Sequence, residues 1–243
     1  MHTPEFWSRG GHKPTEAISR NQDQTGFSGI DPVLNLNKTL MKYSIIGSGK
    51  TGSALARQFA RNKIQVAIAN TRDPHSLAPL AKELGDAVVP KTLKEALKAD
   101  RIVLAVPFAA LESIAHATSD WKGKIVIDAM NAFGVPLTVL GNSASSQLVA
   151  RALPGARVVK AFNHLPAAIL ASDPTGKGGR RVVFVSSDDR DASAAVAGLA
   201  EQLGFAPIEL GKINAGGALV NVRGSDLGAL LLQNLIKLEE EAS

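Results

Sequence analysis

The feature that most limits the fold of this chain is a glycine-rich segment with the sequence GSGKTG. The segment consists of Gly47, Ser48, Gly49, Lys50, Thr51 and Gly52. It follows a short apolar run that ends at Ile46 and precedes a helical pattern in which Leu55 and Phe59 share one face. Between a strand and a helix, the three glycines of GxGxxG permit a tight turn, close approach of a pyrophosphate and packing of the helix on the strand. The segment predicts the first unit of a dinucleotide-binding fold.

The same letters contain Gly-Lys-Thr, which also occurs in the P-loop of ATPases. That motif, GxxxxGK[ST], requires a glycine at position 44, where Ser44 stands inside the apolar run. Only Gly47 and Ser48 would remain to wrap a phosphate ahead of Gly49. The spacing therefore favours a dinucleotide site over a P-loop.

From Tyr43 onward, short apolar runs rich in Val and Ile alternate with helical patterns, which is typical of a parallel sheet covered on both faces. The predicted strands are 43–46, 65–69, 87–89, 102–106, 124–128, 157–162 and 181–185. The predicted helices are 51–61, 76–84, 93–99, 109–117, 145–152, 166–170 and 189–203. The pattern predicts an α/β fold, a doubly wound parallel sheet of the Rossmann-like NAD(P)-binding kind, followed by a C-terminal helix over about 226–238.

The beginning of the chain differs in composition from the rest. Residues 1–40 are rich in Ser, Thr, Asn, Gln, Gly and Pro and keep no period of a helix or strand, so we expect a disordered leader. Residues 41–243 are expected to form a single domain. The apolar C-terminal segment carries more leucine than one helix face needs, and this predicts a homodimer that buries it.

Composition excludes several classes of function. The 243 residues include no cysteine, which rules out a disulfide scaffold, a zinc-thiolate site and a cysteine nucleophile. The net charge of +5 is scattered, and no apolar run approaches the length of about 18 to 20 residues that a bilayer span needs. We therefore expect a cytoplasmic protein that binds neither nucleic acid nor membrane. No metal-ligand spacing stands out, and we expect no metal site.

The end of the second predicted strand indicates which dinucleotide is bound. An NAD enzyme normally has an Asp or Glu there for the ribose 2′-hydroxyl. This chain has Asn70, Thr71 and Arg72 instead, and the first carboxylate after the strand is that of Asp73. A guanidinium beside a hydroxyl and an amide suits a 2′-phosphate. The residues favour NADP, and the alternative is that Arg72 is an ordinary solvated loop arginine.

Polar residues also follow the later strands, where ligands of an open parallel sheet bind. Val106 and Pro107 end the fourth strand, Asn131 follows the fifth, and Asn163 and His164 follow the sixth. The two asparagines would hold the nicotinamide or the second substrate, or they would satisfy the backbone of turns. His164 is a candidate for proton transfer or a bystander, and the catalytic residue stays unassigned.

Four motifs together resemble one known family. They are GSGKTG, the pair Thr71-Arg72, the AVP at Ala105–Pro107 and the KAFNHLPA at Lys160–Ala167. Over residues 41–240 the chain resembles the NADPH-dependent coenzyme F-420 reductases, a family that includes the cytosolic reductase domain of the ferric reductases called STEAP proteins. The resemblance implies a homodimeric Rossmann-like enzyme that passes hydride between NADP and a small-molecule acceptor, either the deazaflavin F-420 or a flavin, FAD or FMN.

The resemblance also implies roles for individual residues. The loop Ser48–Thr51 would hold the pyrophosphate, Thr71-Arg72 the 2′-phosphate and Val106-Pro107 the adenosine or ribose. The nicotinamide and acceptor pocket would be lined by Asn131, Phe133, Phe162, Asn163 and His164. Archaeal members carry a lysine where this chain has Ser76, which is a departure from the family pattern.

Two other functions stay open on the sequence alone. One is an imine reductase of the pyrroline-5-carboxylate reductase type, which shares the amino-terminal motifs but would need a larger helical dimer domain. The other is a non-catalytic redox sensor that binds NADP, because its cofactor loop would be identical.

Overall fold

The computed structural model describes residues 41–140, 144–176, 178–220 and 234–239, and the predicted leader lies outside them. The strands of these segments are β1 (Tyr43–Ile46), β2 (Val66–Ala69), β3 (Val88–Pro90), β4 (Arg101–Leu104), β5 (Ile125–Asp128), β6 (Arg157–Ala161), β7 (Thr175–Gly176), β8 (Gly179–Ser187), β9 (Ala206–Glu209) and β10 (Ile236–Leu238). The α-helices are α1 (Lys50–Arg61), α2 (Ala78–Leu84), α3 (Leu93–Ala96), α4 (Leu111–His116), α5 (Leu137–Leu140), α6 (Ser145–Ala152), α7 (Ala167–Ala171), α8 (Arg190–Gln202) and α9 (Gly216–Leu219).

The first six strands are parallel and lie in the order β3-β2-β1-β4-β5-β6. This order is that of a doubly wound Rossmann-like sheet and confirms the predicted fold class. It reverses between β1 and β4, where Ile45 is in register with Val103. In such sheets the connections leave this point in opposite directions and open a crevice beyond the carboxyl ends of the strands.

Helices cover both faces of the sheet, which explains why its central strands are mainly apolar. Successive strand residues point to opposite faces, so Ile45 and Ile46 belong to different apolar clusters. The first cluster includes Phe59 of α1 and Leu199 of α8, and the second includes Val149 of α6. The two clusters hold the carboxyl ends of the parallel strands at one rigid edge.

The far margin of the sheet is antiparallel to the rest. Strand β8 runs antiparallel to β6, and β9 lies parallel to β8. The sequence patterns did not predict β9, since its residues APIE include a proline and are mostly exposed or half-buried. The seven strands that the patterns did predict are all present, with ends shifted by no more than two residues.

The prediction of a C-terminal helix over 226–238 is wrong for its last residues. Ile236–Leu238 is strand β10, in which Lys237 is in register with Arg180 of β8, and the N–H of Val182 donates to the carbonyl of Leu235 over 3.0 Å. Pairing satisfies an edge of β8 that would otherwise present open backbone groups, a tertiary effect that a leucine count does not reveal. Residues 226–233 lie outside the described residues.

Candidate functional site

The glycine-rich turn connects β1 to α1 at the crevice, and two of its glycines are required by the fold itself. Gly47 has a φ of +110°, and its N–H donates to the carbonyl of Ala69 over 2.8 Å. A Cβ on Gly47 would lie 2.3 Å from the carbonyl oxygen of Ala105, and one on Gly52 would lie 1.9 Å from that of Gly47. Neither position accepts a side chain.

At Gly49 neither the backbone conformation nor the packing requires a glycine. It has a φ of −72°, which every residue adopts, and a Cβ there would meet nothing within 4 Å. The space beside Gly49 is open to the cleft. Gly49 is also the N-cap of α1, where it offers no side-chain acceptor, and the first turn holds no acidic residue. The first amides of α1 and the positive end of its dipole are therefore available to an anion.

The turn after β2 is tied to the glycine-rich turn by Asn70. The Asn70 amide oxygen accepts the backbone N–H of Arg72 over 2.8 Å. Its Nδ2 donates to the hydroxyls of Ser48 and Ser76, each over 3.1 Å. Thr71 and Arg72 are exposed, and within the described residues Arg72 forms no ion pair. Its guanidinium is free to meet an anionic ligand.

The two turns and the end of β4 enclose a cleft of about 350 Å³ at the point where the strand order reverses. Its lining residues are Ile46, Gly47, Ser48, Gly49, Asn70, Thr71, Arg72, Leu93, Ala105, Val106, Pro107, Ala110 and Ile114. One wall is polar and basic and the other is apolar. Such a combination suits a nucleotide, whose phosphates and base need opposite surroundings.

The structure brings Asn131 and Asn163 together across the ends of β5 and β6. Asn131 Nδ2 donates to the backbone carbonyl of Asn163 over 2.8 Å, and Asn163 Nδ2 donates to Asn131 Oδ1 over 3.1 Å. Asn163 Nδ2 also donates to the carbonyl of Val220 over 2.8 Å. Both asparagines thus satisfy turn backbone, while Phe133 beside them is 60% exposed. The pair joins three turns, but Asn163 itself is buried at 5% exposure and Asn131 is half-buried.

A buried ion pair lies beneath these turns, and the sequence patterns did not predict it. Lys160 of β6 and Asp128 of β5 are 2% and 0% exposed, and Lys160 Nζ lies 3.2 Å from Asp128 Oδ2. Lys160 also donates to the carbonyl of Met130, while Asp128 accepts the N–H of Met130 over 3.0 Å and the hydroxyl of Ser146. The network fixes the turn that carries Asn131. The sequence signal that could have revealed the pair is an acidic and a basic residue near the ends of two apolar strands, Asp128 in β5 and Lys160 in β6. Buried charges need partners, so two such residues are expected to pair.

His164 lies in the interior and outside the lining of the cleft. It is 2% exposed, and its ring centroid lies 5.0 Å from that of Phe184. Burial lowers the pKa of His164 to about 4, and the nearby backbone of Val182 offsets this only in part. At neutral pH the imidazole holds no extra proton, so its position gives no support to proton donation. Phe162, two residues earlier, is also buried and has a φ of +61°, which is rare for an aromatic residue.

The described residues contain neither a candidate metal cluster nor a helix suited to spanning a membrane. Across the described residues, no group of three or more His, Asp or Glu side chains is placed to hold a metal ion. No helix within the same segments combines the length and apolar character that a bilayer crossing requires. The described site consists of backbone amides, hydroxyls, carboxamides, one free guanidinium and an apolar wall. Groups of this kind are suited to binding and orienting a ligand.

The chain is similar in sequence and fold to known proteins. Residues 42–132 match a family described as NADP oxidoreductase coenzyme F420-dependent. The crystal structure of a hypothetical protein from Sinorhizobium meliloti is 42% identical and covers 84% of this chain and 98% of its own, with a TM-score of 0.74. A putative F420-dependent NADP-reductase from an Arthrobacter species is 29% identical, with 71% of this chain and 86% of its own covered and a TM-score of 0.60.

A curated relative is longer than this chain. Metalloreductase STEAP2 of Homo sapiens is 30% identical over 202 residues, which are 80% of this chain and 38% of that protein. The chain spans about a third of the length of the curated relatives it matches, 35% and 38% for the first two. The similarity therefore concerns one part of those proteins.

Proposed function

Because the chain belongs to the family of NADP oxidoreductases of the coenzyme F420-dependent type, we propose that it transfers a hydride between NADP(H) and a flat redox acceptor, the deazaflavin F-420 or a flavin. The observation that carries the proposal is the cleft at the reversal of strand order, where Arg72 stands in place of the carboxylate that would select NAD. Bound in this cleft, NADPH would supply a hydride, which carries the two electrons that reduce the acceptor ring.

The residues of the cleft fit a dinucleotide with a 2′-phosphate. The open backbone at Gly49 and the first amides of α1 suit a pyrophosphate, which carries negative charge. Arg72 offers a charged, forked donor for the 2′-phosphate. Val106 and Pro107 belong to the apolar wall that would contact the adenosine or ribose. The donors and the wall come from three separate strand ends, which fixes their spacing through the sheet.

The turns that Asn131 and Asn163 join form the proposed acceptor side. The half-buried Asn131 offers a carboxamide to the polar edge of a ring, and the exposed Phe133 offers an aromatic face. These side chains would hold the acceptor against the nicotinamide. Since His164 is neutral and buried, the protein would act mainly by placing two rings in reach of each other and excluding water.

The proposal is tested by mixing the purified protein with NADPH and, separately, F-420, FAD, FMN, a ferric salt and a cyclic imine. The loss of nicotinamide absorbance is followed in each mixture, and NADH is run in parallel. We expect turnover with F-420 or a flavin that is faster with NADPH than with NADH. Turnover with the imine alone would replace the proposal by an imine reductase, and tight NADPH binding with no turnover would favour a sensor.

A further inference from the structure

The amide of Asn70 has a defined orientation in the cleft. Its oxygen accepts the backbone N–H of Arg72 over 2.8 Å. A backbone N–H only donates, so this contact settles which end of the amide carries the oxygen. The Nδ2 group must then present its two hydrogens to Ser48 Oγ and Ser76 Oγ, both at 3.1 Å.

This orientation determines what the two hydroxyls do. A serine hydroxyl that accepts from an amide still has one proton of its own to donate. In the described part of the chain, neither Ser48 nor Ser76 donates that proton to a protein group. Ser48 belongs to the turn between β1 and α1, and Ser76 lies in the short turn of helix Pro74–Leu77 that follows Arg72. Two hydroxyl protons on either side of Asn70 thus have no protein acceptor in the described residues: that of Ser48, which lines the cleft, and that of Ser76, which is exposed beside it.

We propose that Asn70 is a positioning residue for NADP preference. It keeps the Ser48 hydroxyl as a donor towards the pyrophosphate and the Ser76 hydroxyl as a donor towards the 2′-phosphate, and it holds the backbone of Arg72 beside them. Ser76 is accordingly a specificity-determining residue. This inference rests on the proposed NADP site and adds to it the means by which one amide serves both phosphate groups.

The test is a set of calorimetric titrations with NADPH and NADH, accompanied by thermal melts. Ser76→Ala should weaken NADPH about tenfold and leave NADH nearly unchanged, because only NADPH has the group that the hydroxyl meets. Asn70→Leu should weaken both cofactors, NADPH more strongly. In the double variant the loss of NADPH affinity should be smaller than the product of the two single losses, since Asn70 acts through Ser76.

Two matched controls make the same chemical changes away from the cleft. Ser172→Ala removes an exposed hydroxyl that donates to the carbonyl of Ile169, and Asn62→Leu removes an amide at the end of α1 that donates to Gln58. Both controls should bind NADPH and NADH as the wild type does. They show that loss of a hydroxyl or an amide elsewhere does not reproduce the selectivity.

The inference is overturned if Ser76→Ala affects both cofactors alike or neither, or if the double variant loses the full product. Should Asn70→Leu unfold, Asn70→Ala takes its place, and Ser76→Ala still decides the role of the exposed Ser76 hydroxyl. Arg72→Ala is run alongside as the reference for the cofactor assignment. A selective loss of NADPH in Arg72→Ala without one in Ser76→Ala rejects only the role of Asn70 and Ser76. No selectivity in either variant rejects the NADP site as well.

Discussion

Arg72 carries the choice between the two nicotinamide cofactors in the proposed function. It is exposed at the end of β2, and the first carboxylate after it, Asp73, is occupied in accepting the N–H of His75 over 2.8 Å. Arg72→Ala should weaken NADPH by about 1.5 to 3 kcal/mol, roughly ten- to a hundred-fold in affinity, and barely change NADH. Calorimetric titration with both cofactors measures this. Equal losses for the two would show that Arg72 does not contact the 2′-phosphate.

The burial of His164 predicts how stability depends on pH. Its pKa is about 4 in the folded protein against an ordinary value of 6.5. Between these values the unfolded chain binds a proton that the folded one does not, so stability is full above the higher value and falls as pH drops towards the lower one. From about pH 7 to about pH 5 the loss from this group is about 2 kcal/mol.

His164→Leu isolates this contribution because it keeps a similar buried volume and removes the titrating group. Urea unfolding of both proteins at the two pH values gives the free energies of unfolding. The variant should lose less stability than the wild type by about the same 2 kcal/mol. The same pH dependence in both proteins would contradict the burial of a neutral imidazole.

At the scale of elements, the turn between β1 and α1 separates the needs of the fold from those of the ligand. Gly47→Ala would place a Cβ 2.3 Å from the carbonyl of Ala105 at a φ of +110°, and it should lower stability by about 2 kcal/mol or more. Gly49→Ala meets no neighbour within 4 Å, and its stability should stay within about 1 kcal/mol of the wild type.

The Gly49→Ala protein should nevertheless bind NADPH and NADH roughly tenfold or more weakly, because the added methyl would occupy the space proposed for the pyrophosphate. Thermal melts and titrations of the two variants separate the effects. A Gly49→Ala protein with wild-type affinity for both cofactors would show that the pyrophosphate lies elsewhere.

The sequence predicts the buried parallel strands well and the margin of the sheet poorly. Strands β1 to β6 are covered on both faces, so burial itself selects the Val and Ile runs that reveal them. Strand β9 is half exposed and β10 is three residues long, and both depend on backbone pairing with β8 that leaves little trace in residue type. For β10 the leucine pattern favoured a helix, and tertiary pairing prevailed.

The candidate site shows a similar division. The rule that ligands lie at strand ends locates Arg72, and the adjacency of β5 and β6 brings Asn131 to Asn163. The same rule also selects His164, although its side chain is buried, since position along a strand does not show which way a loop side chain turns. The three hydrogen bonds of Asn70 depend on distances of a few tenths of an ångström that no spacing encodes.

At the scale of the whole molecule, exposed leucines near the end of the described chain support the proposal of a homodimer. Leu219, Leu235 and Leu238 are 74%, 41% and 70% exposed. Three exposed leucine side chains would be stabilised by burial against a second copy of the chain. Light scattering should give a dimer for the wild type at micromolar concentration and a monomer for the double variant Leu235→Glu with Leu238→Glu.

Lys82→Glu, which alters charge at an exposed position of α2, is the matched control and should remain dimeric. NADPH affinity should be equal in all three proteins, because neither leucine lines the cleft. A wild-type monomer would refute the dimer, and a dimer that survives both leucine changes would place the interface elsewhere.

The cleft and the proposed acceptor surface come from different stretches of the chain. Every residue that lines the cleft lies between Ile46 and Ile114, whereas the acceptor surface begins at Asn131 and extends to Val220. The family match ends at residue 132, close to this division. On the proposed function, substitutions that change the acceptor would therefore fall in the later stretch, and those that change the cofactor would fall in the earlier one. A gene of this kind can exchange its redox partner over evolutionary time while it inherits the same source of electrons.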